Sequence, residues 1–411
     1  MARQPPPSPS TGGALTGIPA KDLKMTEYEQ TLLARAAARQ DRLIRDCLVL
    51  YAGANLPSPA AQGAYSAALS AYPAMGPSFA KEQPDTDLVS ELEEAVRRQI
   101  CDLLGAGWAE PRLPSCTYAN LAVFHALTRP GDLFFGPAAQ HGGHLSQRRG
   151  GTPDVVGLRV TDLPYDRERL CLDGHAAARM IERDRPAMVL LGRSIMLKPD
   201  DLAPVVAAAR QAGAITVFDA SHVLGLIMGG TYPNPLAAGV DVLTSSTYKT
   251  FPGRPHSIVA GRDPAHGALL AGVIDRQLLA NNDTGRLPSL LVSLCEAKEE
   301  IGDYARAISR GTRRLATALR AEGLTVRVAE PDETPTHQLL VPLPPSVPQA
   351  GAIRIFAEDG ILLGTCADPA VPGGHALRIG TQFITRHKTG DTPDWDEIAR
   401  RLAQTFGKLS R

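Results

Sequence analysis

At 411 residues the chain is long enough for two domains, or for one large α/β domain and a smaller companion. Its 44% hydrophobic and 21% charged residues fit a packed globular protein, and 43 acidic against 43 basic residues leave no net field to draw nucleic acid or an anionic membrane surface. The six cysteines (Cys47, Cys101, Cys116, Cys171, Cys295 and Cys366) are scattered without a C-x-x-C pair, which argues against a zinc site and a disulfide framework and fits a reduced cytoplasm.

Residues 1–24 are rich in Pro, Ser and Gly, lack an apolar signal-peptide core, and read as a disordered leader. No apolar run is long enough to span a bilayer. Thr26 to Asp46 reads as a helix with an apolar stripe through Tyr28, Leu32, Leu33, Ala36 and Leu43. Leu48 to Pro59 reads as an extended arm. Asp87 to Leu104 carries Leu88, Leu92, Val96, Ile100 and Leu103 at helical spacing and stops at Gly105.

The middle of the chain alternates short apolar runs with helical segments. Strands are expected at 133–135, 155–158, 188–191, 215–218, 240–243 and 257–260, with helices at 118–127 and 201–212. Such alternation predicts an α/β fold: a mostly parallel sheet covered by helices, with ligands beyond the carboxyl ends of its strands. From about Pro288 the pattern changes to a long helix (289–319), short strands at 338–341, 361–363 and 377–379, and a last helix (395–406), read as a smaller C-terminal α+β domain. The expected division is a leader (1–24), an N-terminal helix and arm (25–60), a large domain (61–287) and a small domain (288–411).

Two residues at strand ends carry the chemistry. Lys249 follows Ser245-Ser246-Thr247-Tyr248, and Asp219 ends Val217-Phe218. Pyridoxal phosphate (PLP) needs such a pair: a lysine to hold its aldehyde as a Schiff base, and a carboxylate to keep the pyridine nitrogen protonated so that the ring accepts electrons. Alone, Asp219 reads equally as a helix N-cap. Ser115-Cys116-Thr117 opens a helix, where hydroxyls and free N–H groups either cradle a phosphate or serve as ordinary caps. His222 and Ser194 are candidates for the region around the cofactor's O3′, or a core histidine and a turn serine. Arg378, inside the apolar run Ala376–Gly380, needs an anionic partner: a substrate α-carboxylate or an internal salt bridge. The pair in His141-Gly142-Gly143-His144 has no neighbouring Cys, Asp or Glu, so a stacked histidine is expected in preference to a metal, and no metal is assigned.

Together these motifs resemble serine hydroxymethyltransferase, of the fold-type-I PLP enzymes, from about Leu48 to Arg386. The family's AHGGHL stands here as QHGGHL (140–145), its VDxAHxAGL as FDASHVLGL (218–226), its YPNP intact (232–235), its TTTHKT as SSTYKT (245–250), and its IRVGTPAIT as LRIGTQFIT (377–385). The resemblance implies a large domain with a seven-stranded, mostly parallel sheet. It implies Lys249 as the Schiff-base lysine, Asp219 at the pyridine nitrogen and His141 as the stacking histidine. Ser115, Cys116, Thr117 and Ser246 then bind the cofactor beside His222 and Ser194, while Arg378, Tyr72 and Tyr248 face substrate. It also implies a homodimer with active sites at the interface, Gly285 belonging to a loop that reaches the partner's phosphate.

The departures fall on the folate-handling side. At the family's YAEGYPG the chain has Ala68-Leu69-Ser70-Ala71-Tyr72-Pro73-Ala74, so Ser70 replaces an acid–base glutamate. A hydroxyl is no carboxylic acid near neutral pH, although Glu82 or another carboxylate could compensate. The lysine is preceded by Tyr248 instead of histidine, and the folate-loop asparagine has no clear counterpart near 364–368. These changes put tetrahydrofolate in question. They point to cleavage or exchange at the Cα–Cβ bond of a β-hydroxy-α-amino acid with an aldehyde, as in a threonine aldolase or transaldolase. A hydroxymethyltransferase of the serine/glycine or 2-methylserine type, another PLP reaction such as transamination, elimination or decarboxylation, and a non-catalytic PLP-fold protein are the alternatives.

Overall fold

The computed structural model describes residues 25–71, 73–387 and 393–410. The expected leader and Tyr72 lie outside these residues. The chain divides after Cys47 into two compact units. In the first, the expected single helix is two, Glu27–Ala37 and Arg39–Arg45, interrupted at Ala38. Thr26 and Glu29 close a reciprocal capping box at its start. Neither helix buries a residue, so the apolar stripe read from Tyr28 and Leu33 is exposed.

The second unit is built on a seven-stranded sheet. We number its strands β1 (Trp108–Glu110), β2 (Leu133–Gly136), β3 (Arg159–Asp162), β4 (Met188–Leu191), β5 (Ile215–Asp219), β6 (Val242–Ser246) and β7 (Ser257–Gly261). Their spatial order is β1-β7-β6-β5-β4-β2-β3. The four pairings from β3 through β2, β4 and β5 to β6 are parallel; β7 runs against β6 and β1. Strands β4 and β6 are buried along their whole length, which is why they read as unbroken apolar or small-residue runs. Helices Asp87–Leu104 and Ala203–Ala212 and the first part of Arg286–Ala321 share one core with Leu191, Phe218 and Leu243. Helices Cys116–Leu127 and Pro264–Val273 share another with Leu190, Val217 and Val242. Alternate residues of each strand thus face opposite cores, and both faces of the sheet are covered.

A three-stranded antiparallel sheet follows: β8 (Gln338–Pro342), β9 (Gly364–Ala367) and β10 (His375–Gly380), in the order β8-β10-β9. Its core takes in Leu315 and Leu319 from the end of the long helix, with Phe356 and Leu402. Leu48–Val49 pairs parallel with Ile361–Leu362, so the expected arm is tied into this part of the fold.

Two strand assignments change. Val155–Leu158 is not a strand: Pro153 sits in the first turn of a short helix, Thr152–Val155, and Gly157 then adopts φ 80°, a left-handed turn that delays the strand to Arg159. The strand expected at 240–243 begins at Val242, because Val240 still closes a turn onto the Pro235 carbonyl.

Candidate active site

The parallel topology brings the carboxyl ends of β2, β4, β5 and β6 to one edge of the sheet. There a cavity of about 500 Å³ is lined by Ser115, Cys116, Thr117, His144, Gln147, Arg193, Ser194, Asp219, His222, Tyr248 and Lys249.

Asp219, 4% exposed, ends β5 inside a shell of donors. One carboxylate oxygen accepts from the Ser221 backbone N–H (3.0 Å) and the Cys116 thiol (3.6 Å). The other accepts from Asn120 Nδ2 (3.0 Å) and Gln147 Nε2 (2.7 Å). Burial pushes its pKa up, but hydrogen bonding from Ser221, the Lys249 charge and Asn120 outweigh it and hold the carboxyl below its ordinary value. The group is therefore built to stay charged while buried.

Lys249 lies in the loop after β6, which is latched by main-chain bonds. Asn55 Nδ2 donates to the Lys249 carbonyl (2.7 Å), Thr250 Oγ1 to the His222 carbonyl (3.0 Å), and the Gly253 N–H to the Thr247 carbonyl (2.8 Å). A Cβ on Gly253 would stand 2.7 Å from that carbonyl oxygen, so the turn needs glycine. Burial draws the Lys249 pKa below its ordinary value against the pull of Asp219, raising the fraction of free amine available to bond a carbonyl carbon. Its Nζ stands 5.4 Å from the centre of the Tyr248 ring.

The helix Cys116–Leu127 brings its N-terminal residues to the cavity. Ser115 Oγ caps the Tyr118 N–H (3.3 Å), so the capping reading holds, while the Ser115 and Thr117 side chains also line the cavity. Arg378, on β10, donates from Nη1 to the Ser194 carbonyl (3.0 Å). Among the described residues no carboxylate pairs with it, which leaves no support for the internal salt bridge. The Ser194 side chain and His222 line the cavity.

The histidine expected to stack is displaced by one turn of the motif. His141 faces away, stacked on Tyr165 at 4.4 Å and 9° beside a separate small cavity with Arg193 and Asp200. Gly142, at φ 91°, reverses the chain after the turn Ala139–His141 and sends His144 to the Asp219 cavity instead. The Ser146 N–H donates to His144 Nδ1 (3.2 Å), leaving Nε2 to carry the ring proton. Burial pushes the His144 pKa down, favouring a neutral ring for stacking.

Ser246 is also displaced: it does not line the cavity, and its backbone N–H donates to Ser221 Oγ (3.1 Å), bracing β6 against the loop after β5. Gly285 lies outside this chain's cavity; its N–H donates to Ser70 Oγ (2.8 Å). Ser70 in turn donates to Asp283, whose other oxygen takes Arg286 Nε at 2.8 Å. Glu82 is exposed and does not line the cavity. Asn120 and Gln147 were not legible as site residues, although Asn120 follows Cys116 by four positions and so shares its helix face.

The serine hydroxymethyltransferase family model matches residues 30–391. The chain belongs to the serine hydroxymethyltransferase family. It is 34% identical to the serine hydroxymethyltransferase of Methanopyrus kandleri over 385 residues, 90% of this chain and 87% of that one. It is 32% identical to the enzyme of the same name from Aeropyrum pernix over 366 residues, 87% of this chain and 83% of that one. Among solved structures it is similar to an L-threonine transaldolase from Pseudomonas fluorescens in its internal aldimine state. That match has a TM-score of 0.81 and 26% identity, and covers 93% of this chain and 89% of that one. The chain is thus a PLP-dependent enzyme of this family, with the family's fold, and a charged, donor-fed Asp219 and a Lys249 whose pKa burial lowers, lining one cavity, fit that cofactor.

Proposed function

We propose that this PLP-dependent enzyme cleaves or exchanges the Cα–Cβ bond of a β-hydroxy-α-amino acid without folate, as an aldolase or transaldolase. The observation that carries this reading is Ser70. At the position of the family's acid–base glutamate stands a hydroxyl, already committed to Asp283 and to the Gly285 N–H. The likeness to a threonine transaldolase supports it.

When bound, PLP supplies an electron sink for charge developing at the substrate's Cα. Lys249 is the amine that would hold the cofactor's aldehyde carbon. Asp219 would keep a proton on the pyridine nitrogen, and its four donors hold it ionised for that task. Ser115, Thr117 and the first-turn N–H groups would grip the phosphate, Cys116 packing beneath. His144 would cover one face of the ring, and Tyr248 would border substrate. Arg378, its Nη1 anchored on the Ser194 carbonyl, would fix the substrate carboxylate and so decide which bond at Cα stands perpendicular to the ring.

The same proposal includes a cytoplasmic homodimer with active sites at the interface, and a large domain (61–287) followed by a small one (288–411). Hydroxymethyl transfer, of the serine/glycine or the 2-methylserine type, is the second reading, favoured by the names of the relatives. Aldehyde release from L-threonine and L-allo-threonine by the PLP-loaded protein, without folate, tests the first. Folate-dependent formaldehyde release from serine or 2-methylserine, with no cleavage of threonine, establishes the second in its place.

A further inference from the structure

Behind the cavity, the first residue of β8 makes a polar knot in a buried setting. Gln338 is fully buried. Its Oε1 accepts from the Met196 backbone N–H (3.3 Å), and its Nε2 donates to the Ser194 carbonyl (3.0 Å). A backbone N–H can only donate and a carbonyl can only accept, so these two contacts fix the orientation of the amide. Nε2 has a second hydrogen, and two further atoms lie in reach: His222 Nδ1 at 3.0 Å and His337 Nε2 at 3.3 Å.

Elimination decides between them. His337 Nε2 stands 3.1 Å from the Ala52 carbonyl, an acceptor only, so that nitrogen carries hydrogen and cannot accept from Gln338. The second Gln338 hydrogen therefore goes to His222 Nδ1. Among the described residues the other group near that atom is His337 Nε2 at 3.4 Å, whose hydrogen points to the Ala52 carbonyl and which cannot accept. Gln338 donates to Nδ1 and no neighbour among the described residues can accept a hydrogen from it, so Nδ1 is bare and the ring proton of the neutral imidazole sits on Nε2. Burial, with the Lys249 and Arg378 charges, keeps the ring neutral.

We propose that Gln338 is a positioning residue that locks His222 as the Nε2–H tautomer, turning it into a hydrogen-bond donor toward the cavity. The same amide shares the Ser194 carbonyl with Arg378 Nη1, so one side chain sets both the donor and the anchor of the guanidinium. A donor at this point suits a ligand oxygen bearing negative charge beside Lys249. That consequence rests on the cavity being the PLP site; the tautomer does not.

The test is nitrogen NMR of protein labelled with 15N-histidine, with and without PLP, the His222 signals assigned by their loss in His222→Gln. The expected spectrum has a protonated Nε2 and a bare Nδ1 for His222 in the PLP-free protein. A protonated Nδ1 there overturns the proposal. In Gln338→Glu the bare-Nδ1 signal is lost, because a carboxylate accepts where the amide donated; an unchanged pattern overturns it. Should that variant not fold, Gln338→Met removes the donor without adding charge, and the Nδ1 resonance moves downfield; no movement again overturns it. A protein that binds no PLP would remove the cofactor assignment while leaving the tautomer to be decided by these spectra.

Discussion

Asp219→Asn is the substitution whose cost follows most directly from the geometry. The carboxylate is fed by four donors, and an amide can accept at only one end. The Gln147 amide cannot turn to help, because its oxygen accepts from the His144 N–H (2.9 Å), which can only donate. The new NH2 must therefore face Ser221 and Cys116, which leaves the buried Ser221 N–H without a partner. Such a donor costs about 1–3 kcal/mol, and the remaining bonds lose their charge assistance, so the expected destabilisation is about 2–4 kcal/mol. The desolvation relieved by losing the charge does not reverse the sign, because the folded protein holds Asp219 below its ordinary pKa of 3.8 and so favours the charged form more than water does. Urea unfolding of the PLP-free variant measures the change near neutral pH. The lowered pKa also fixes a pH window: this stabilisation is complete well above 3.8 and is lost as pH falls through the lower folded value. The difference between wild type and variant should then shrink on acidification below about pH 4. A neutral-pH difference below about 0.5 kcal/mol, or one that grows on acidification, would refute the donor-shell argument.

Lys249→Ala should abolish the borohydride-trappable PLP adduct; an unchanged adduct refutes the assignment. Arg378→Ala should weaken apparent amino-acid binding by roughly 2–5 kcal/mol, about 30- to 4,000-fold, and an unchanged KM moves the carboxylate site elsewhere. His144→Ala should raise the Kd for PLP by up to about tenfold through lost ring stacking, as read by fluorescence titration. His141→Ala should leave that Kd unchanged, and the reverse ranking would restore His141 to the site.

Strands β4, β5, β6 and β7 were legible because they are buried almost throughout and so read as short apolar runs between helical periods; the three-residue edge strand β1 was not expected, and β3 at the other edge is half exposed. The 87–104 helix was legible because Leu92, Val96, Ile100 and Leu103 meet a core, although Leu88 of the expected stripe is exposed, and Gly105 ends it at φ 62°. Val155–Leu158 misled because a valine pair followed by leucine looks alike in a strand and in a helix-and-turn, and only the backbone of Gly157 separates them. Lys249 and Asp219 could be found from sequence, since each follows a strand at the edge where ligands bind. The choice between His141 and His144 could not, because two glycines between two histidines say nothing of which way the chain turns. Asn120, Gln147 and Gln338 were hidden for another reason: each acts through a hydrogen bond to an element at least 72 residues away.

The central claim is that this site works at the Cα–Cβ bond without folate. The most direct measurement is aldehyde release from L-threonine and L-allo-threonine by the PLP-loaded protein, in a mixture free of tetrahydrofolate. Acetaldehyde and glycine in equal amounts, or the aldol product when a second aldehyde is supplied, is the predicted result. A normal PLP absorbance with no aldehyde from either substrate, but folate-dependent turnover of serine, would contradict it.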